Sequence, residues 1–387
     1  EGEVLDKREF KSIPLNTPFN YGPLQIFTAD LQNWRIKPHP LAVFFNFIFE
    51  IEGNLIIEES FQTNGFFQVN KACEFHYSKI LQADSGIFLN NIQQLTPQTS
   101  DSSLISFKGP VHIKAKPSSK KMKLKTNIIA NQEIKIEAEK LKINSTLYTP
   151  STISIQTEED IYLKRGQVTG LAGISVTTHG GEITVGGCNQ EPHFYSHQDI
   201  CFQGGNLNLI KAYLHTQGNI RFLLEMFQLV LGNEQTGPHL IGKSLNGLAR
   251  DVVVNNGHYT GLDGITFYAT TDLLTVGTLT TCPVFESNRP IRLHGSREAH
   301  FINVETHSQE QIMLEGTHVE IGTLHTRPTF ITPQTVSLSA RTAKVFNATL
   351  TGLAGISVTT HGGEITVGEC NQEPHFYSHQ DICFQGG

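Results

Sequence analysis

Two cysteines and two histidines fall within fourteen residues at Cys188, His193, His197 and Cys201, and the same four types recur at Cys370, His375, His379 and Cys383. Zinc uses such a composition, provided that every donor comes within about 2 Å of one ion. The residues between argue against it. His193-Phe-Tyr-Ser-His197 alternates polar and apolar side chains and reads as a strand with Phe194 turned inward. His193, Tyr195 and His197 then point outward along one strand, which separates the two imidazoles by about 13 Å. The expected arrangement is an exposed ladder of His193, Tyr195 and His197, repeated as His375, Tyr377 and His379, that serves as a binding surface and holds no metal. A disulfide between Cys188 and Cys201, with its repeat between Cys370 and Cys383, is a second use of the same spacing.

Paired carboxylates would be another source of chemistry, because hydrolases and lyases need an acid and a base within reach of one bond. Asp199, Asp251, Asp263 and Asp272 are scattered, and Glu158-Glu159-Asp160 reads as a solvated turn. The best grouping is Asn255-Asn256-Gly257-His258 with Asp263. No nucleophile elbow, phosphate loop or calcium-type Gly-Gly-x-Gly-x-Asp repeat is present. The expectation is a protein without catalytic residues or a cofactor, and a carbohydrate-active enzyme is the alternative. Lys114, Lys116, Lys120, Lys121, Lys123 and Lys125 form a basic patch. It suits acidic glycans or lipid headgroups, or else a solvated loop guarding a sheet edge.

The elements that hold these residues follow from periodicity. Thr169 to Gly205 returns as Thr351 to Gly387 with one change in 37 positions, Gly187 becoming Glu369. Within each copy, short alternating runs are separated by Gly-rich corners, the signature of strands and tight turns. Apolar residues also recur about every 20 positions. One file runs Ile113, Ile134, Ile153, Ile174, Phe194, Leu214; a second Ile143, Leu163, Ile183, Ile200, Ile220; a third Val284, Val304, Leu324, Val345, Ile365, Ile382. A period of this length signals a solenoid. Leucine-rich repeats would need an L-x-x-L-x-L frame, and helical repeats need 30 or more residues and helical periodicity. Ile220 to Leu231 fits an amphipathic helix by composition, but its files favour a strand.

The fold expected is all-β: a single right-handed parallel β-helix over 49–387, about 20 residues per coil, with an irregular cap at 1–48 that is interrupted by Pro14, Pro18, Pro23, Pro38 and Pro40. At that length it would have about 17 coils and extend on the order of 80 Å. Caps are needed because an open end exposes apolar side chains and strand edges.

Net charge is -7 over 387 residues, which speaks against a general nucleic-acid binder. No run of 18 apolar residues exists, so no transmembrane helix is expected. The chain has no initiating Met, and Gly387 stops where the first copy continues into Asn206-Leu-Asn-Leu. It therefore reads as a piece of something longer.

Gly173-Ile-Ser-Val-Thr-Thr-His-Gly-Gly-Glu-Ile-Thr-Val-Gly-Gly, with Gly205-Asn-Leu-Asn-Leu and Gly218-Asn-Ile-Arg-Phe, resembles the coils of filamentous-haemagglutinin-like proteins, the large exoproteins and contact-dependent-toxin stalks of bacteria. The resemblance covers roughly residues 50–387 and is strongest in the two copies. The Asn-Pro-Asn motifs of the family's secretion domain are not in the chain. The resemblance implies a right-handed β-helix and a structural, adhesive rod segment, secreted or held at the bacterial surface. Its partner would be a glycan or protein receptor on a host or neighbouring cell. A self-associating filament subunit, joined end to end or side by side, is the other reading of the same fold.

Overall fold

The computed structural model describes the backbone at 10–14, 24–29 and 33–37, and residues 46–386 apart from 98, 100, 118–120 and 369–372. Among the described residues there is no helix. Parallel strands build a β-solenoid of about 15 turns, roughly 22 residues per turn. The chain divides into two compact units, 1–181 and 182–387.

Each coil contributes strand to three faces. In the first unit, one face stacks Asn46–Ile51, Phe66–Asn70, Gly86–Ile92, Val111–Ala115, Ile134–Ala138, Thr152–Thr157 and Gly173–Thr178 in parallel. The second includes Met122–Leu124, Leu141–Asn144 and Ile161–Arg165. The third runs from Phe61–Thr63 to Gln167–Gly170. Alternate side chains point inward because a strand has a period of two. The resulting files include Phe67, Ile87, Val111, Ile134, Ile153 and Ile174, all buried. Burying a side chain of this kind contributes about 1.5–3 kcal/mol. Aromatic rings fill the early coils, with Phe47 and Phe61 edge to face at 5.1 Å.

Three strands, Phe10–Pro14, Leu24–Ala29 and Asn33–Lys37, fall within the segment expected to be irregular. Leu24–Ala29 pairs in parallel with Asn46–Ile51, and Asn33–Lys37 with Asn54–Ile57. Pro14 ends its strand, a position where a missing N–H is tolerated. Pro18, Pro23, Pro38 and Pro40 lie outside the described residues.

In the second unit several strands run through two faces without a break: Ile220–Leu231, Leu245–Val254, Ile291–Phe301, Ile312–Ile321 and Thr335–Val345. Ile220–Leu231 is therefore a strand, as its files indicated. The chain bends where the register slips, between Leu224 and Gln228 and between Gly295 and Glu298. At the second bend a Cβ on Gly295 would lie 2.1 Å from the Glu298 carbonyl oxygen. The third face of this unit stacks nine strands, from His193–Ser196 and Tyr213–Thr216 to His375–Tyr377.

The corners explain why three apolar files were only partly right. Ile153 does align with Ile174, and Ile143 with Leu163. However, Ile113 aligns with Ile136 rather than Ile134, and Phe194 belongs to the third face, where it aligns with Leu214. Ile183 aligns with Leu207 on one face and Ile200 with Ile220 on another. The file from Val284 to Ile382 fails: Val284 aligns with Glu305, and Leu324 is exposed on a corner. A fixed step drifts because corners alternate in length. Gly186, Gly232, Gly277, Gly322 and Gly368 recur every 45 or 46 residues, each with φ between 74° and 81°. Gly186, Gly232, Gly277 and Gly322 each open a long corner, and a short corner lies on the next coil. A Cβ on Gly277 would sit 1.8 Å from the Asn303 carbonyl oxygen of that short corner, so only glycine fits. The long corners at Thr278 and Thr323 close through Thr281 and Thr326, whose hydroxyls donate to Asn255 O and Ile302 O one coil back.

A second polar file turns the corner after the third face. Thr149, Ser196, Thr216, Ser287, Ser308 and Thr332 are buried there. Each accepts from the N–H two residues on, as Gln334 N–H does to Thr332 Oγ1 at 3.0 Å. Ser308 also donates to the Arg289 carbonyl of the previous coil at 2.8 Å.

Candidate functional site

The strand His193–Ser196 buries Phe194 and Ser196 and turns His193 and Tyr195 outward. His197 follows at the corner, exposed, and its Nε2 lies 3.0 Å from the Tyr195 hydroxyl. Parallel pairing in register places like positions of successive coils one above another. His193 lies tilted against Tyr213 at 5.5 Å between ring centroids, and Tyr195 meets His215 edge to face at 5.5 Å. Tyr213 is in register with His239, and His239 stacks on His258 at 5.3 Å with planes 19° apart. One outward file therefore reads His193, Tyr213, His239, His258 over four coils.

The sequence named the first rung of this ladder, missed Tyr213, His215 and His239, and grouped His258 with Asp263 instead. The signal was present: each sits at the outward register position of the next coil, but spaced by 19 to 26 residues rather than a constant step.

The second copy repeats the local geometry. The Tyr377 hydroxyl lies 2.9 Å from His379 Nε2, and His375 begins the strand His375–Tyr377. His375 and Tyr377 are in register with Thr349 and Thr351 of the coil before.

The Cys/His constellation is not brought together. Cys188 is on an exposed corner, His193 on the third face, and Cys201 on the outward side of Ile200–Gln203. Cys188, Cys201 and Cys383 are free thiols in place of the disulfide the spacing allowed, and Cys370 lies outside the described residues. Burial pushes the Cys201 thiol up, against the pull of the Arg221 guanidinium. Among the described residues no group of three or more His, Cys, Asp or Glu side chains is placed to hold a metal ion.

The carboxylates proposed for chemistry have cationic neighbours. Asp199 meets Arg221 at 2.9 Å, Asp251 meets Arg250 at 2.9 Å, Asp263 meets Lys243 at 3.6 Å and Asp272 meets Arg297 at 3.5 Å. Asp263 follows the strand that His258 begins, and His258 packs on His239. Asn255 Nδ2 donates to the Gly232 carbonyl at 3.1 Å, and Asn256 Oδ1 accepts from Gly257 N–H at 2.9 Å, so both work as corner residues.

In the first unit, Lys123 is in register with Lys142, and Lys121 stands 3.5 Å over the Tyr162 ring. Burial lowers the Lys121 pKa, and Lys142, Lys140 and Lys164 lower it further against the opposing effect of Asp160. Lys114 is paired with Glu137 at 3.3 Å, and Lys120 lies outside the described residues.

Comparison with protein-family models, with curated proteins and with solved structures finds no match for this chain. The parallel solenoid is compatible with β-helix repeat proteins as a class.

Proposed function

We propose that the chain is a structural and adhesive rod segment of a large bacterial surface or secreted exoprotein, built from coils of the filamentous-haemagglutinin type. One observation carries the reading. The duplicated segment sets the same Tyr–x–His pair outward twice, at Tyr195 with His197 and at Tyr377 with His379, on a regular solenoid scaffold. A repeated outward surface permits two-point attachment, and avidity then exceeds either single contact. The solenoid suits display because each coil depends mainly on its neighbours, so length can grow by adding coils.

The partner in this reading is a glycan or protein receptor on another cell. The test is binding of the purified, fluorescently labelled chain to cells at neutral pH. Replacing both Tyr195 and Tyr377 by Ala is expected to reduce binding more than either single change. Binding indifferent to the double change, in a folded variant, would count against the surface. Turnover of a polysaccharide would favour an enzyme instead.

A further inference from the structure

We propose that the third-face ladder of the second unit is a docking strip for an anionic polysaccharide, engaged in acid and released near neutral pH. The inference rests on the adhesive reading in taking the third face as a display surface, and it adds a second, acid-dependent ligand held by His215, His239 and His258, beside the neutral-pH contact at Tyr195 and Tyr377.

The histidines of this protein fall into contrasting settings. His76, His112, His179, His294, His300 and His307 each lie within 3.3 Å of a glutamate oxygen. Protonation there completes an internal ion pair. His193, His197, His215, His239 and His258 have no such pair among the described residues; their neighbours are tyrosine and one another. Protonation there creates uncompensated positive charge.

The charged groups around the ladder are few. Glu191 is held by Lys211 at 3.2 Å, Asp199 by Arg221 at 2.9 Å, and Asp263 by Lys243 at 3.6 Å. Glu234 is exposed on the long corner before His239. On the coil beyond His258, the outward positions are Val284 and Glu286, and Glu286 is in register with Thr260. Cys188, exposed on the corner before His193, and Cys282, exposed on the corner before Val284, are further titratable neighbours, and Tyr195 and Tyr213 are in the ladder itself.

Histidine is the side chain that changes charge between about pH 5 and 8. Protonated imidazoles at His193, His215, His239 and His258 would supply one cation per coil, about 4.8 Å per step, with His215 set in the neighbouring column. A linear polyanion complements a line, and the ring faces of Tyr213 and Tyr195 add surfaces on which sugar rings can pack. An anionic membrane fits less well, because from His193 to Thr260 the outward positions of these strands carry one large aliphatic residue, Ile241.

The experiment uses the full chain and polygalacturonate, which remains ionised throughout the range. Affinity at about pH 5.5 is expected to exceed that at about pH 7.5 by about tenfold or more, and to fall with added salt. Combined His239→Gln and His258→Gln should remove most of this gain at an unchanged thermal midpoint. His215→Gln alone should reduce it, and His307→Gln should leave it intact. Equal affinity at both pH values, or a gain that survives the double change, overturns the proposal. So does an equal or larger gain on phosphatidylserine vesicles or single-stranded DNA. Failure here leaves cell binding at neutral pH untouched, whereas failure of cell binding with a retained acid gain would discard the adhesive reading alone.

Discussion

Thr306 is aligned with Phe330 in the inner file of the third face, and on its other side with Phe285. It is fully buried, and its hydroxyl has no hydrogen-bond partner. A buried hydroxyl without a partner costs about 1–3 kcal/mol. Thr306→Val keeps the shape and removes the hydroxyl, so it should stabilise the protein by about 1 kcal/mol. At Thr326 the same substitution should destabilise by about the same amount, because that hydroxyl donates to Ile302 O and contacts Thr323 Oγ1 at 2.7 Å. Chemical denaturation of both variants checks the pair, and equal signs would refute the assignment.

Gly277 and Gly187 should respond oppositely to alanine. Gly277 has φ of 80° and a carbonyl oxygen 1.8 Å from where a Cβ would sit. Gly277→Ala is expected to cost about 2 kcal/mol or more, since both strain and a backbone shift are required. At Gly187 the nearest atom to a Cβ is 3.9 Å away, and the change should be nearly neutral. Thermal midpoints of the two variants decide it. The duplicated segment has already tried this site: its single difference is Glu369 at the position of Gly187.

Alkaline stability should depend on Tyr259. Burial pushes its hydroxyl well above the ordinary tyrosine range, and the hydroxyl donates to the Asn256 carbonyl at 2.6 Å. A group whose folded pKa is raised stabilises fully below its unfolded pKa, near about pH 10, and that stability is lost as pH rises beyond it. Tyr259→Phe should cost about 1 kcal/mol at neutral pH and flatten the decline above about pH 10. A decline as steep as in the unmodified chain would be the contrary result.

Thiol chemistry should distinguish Cys188 from Cys201. Cys188 is exposed and free, whereas Cys201 is free but partly covered, with its thiol pushed up by burial. Alkylation near about pH 8 should label Cys188 about tenfold faster, because the thiolate is the reactive form. Peptide mapping without reductant would show both thiols labelled, and a protected pair would restore the disulfide.

The strand period and the parallel stacking were legible because burial of Ile153 on Ile174 repeats a simple alternation. The turn length was read as 20 residues, where the structure has roughly 22, because corner lengths are set by backbone contacts such as Gly277 against Asn303. Those contacts leave no apolar trace. The hydroxyl file through Ser308 and Thr332 escaped for a related reason, since only greasy residues were followed. At the site, Tyr195 and His197 were placed correctly on the outside, but the rungs above them depended on register. A composition that suggested zinc was separated onto different sides of the coil by one corner.

The alternation of long and short corners makes pairs of turns, rather than single turns, the unit of change. Gly186 and Gly368 stand four such pairs apart, the same offset that relates the two near-identical segments. An unequal exchange between those segments would add or delete whole pairs, and every protruding bend would still meet a recessed one. A gain or loss of one turn would instead set protruding bends against each other. In the second unit, added or lost length therefore fits best in pairs of coils.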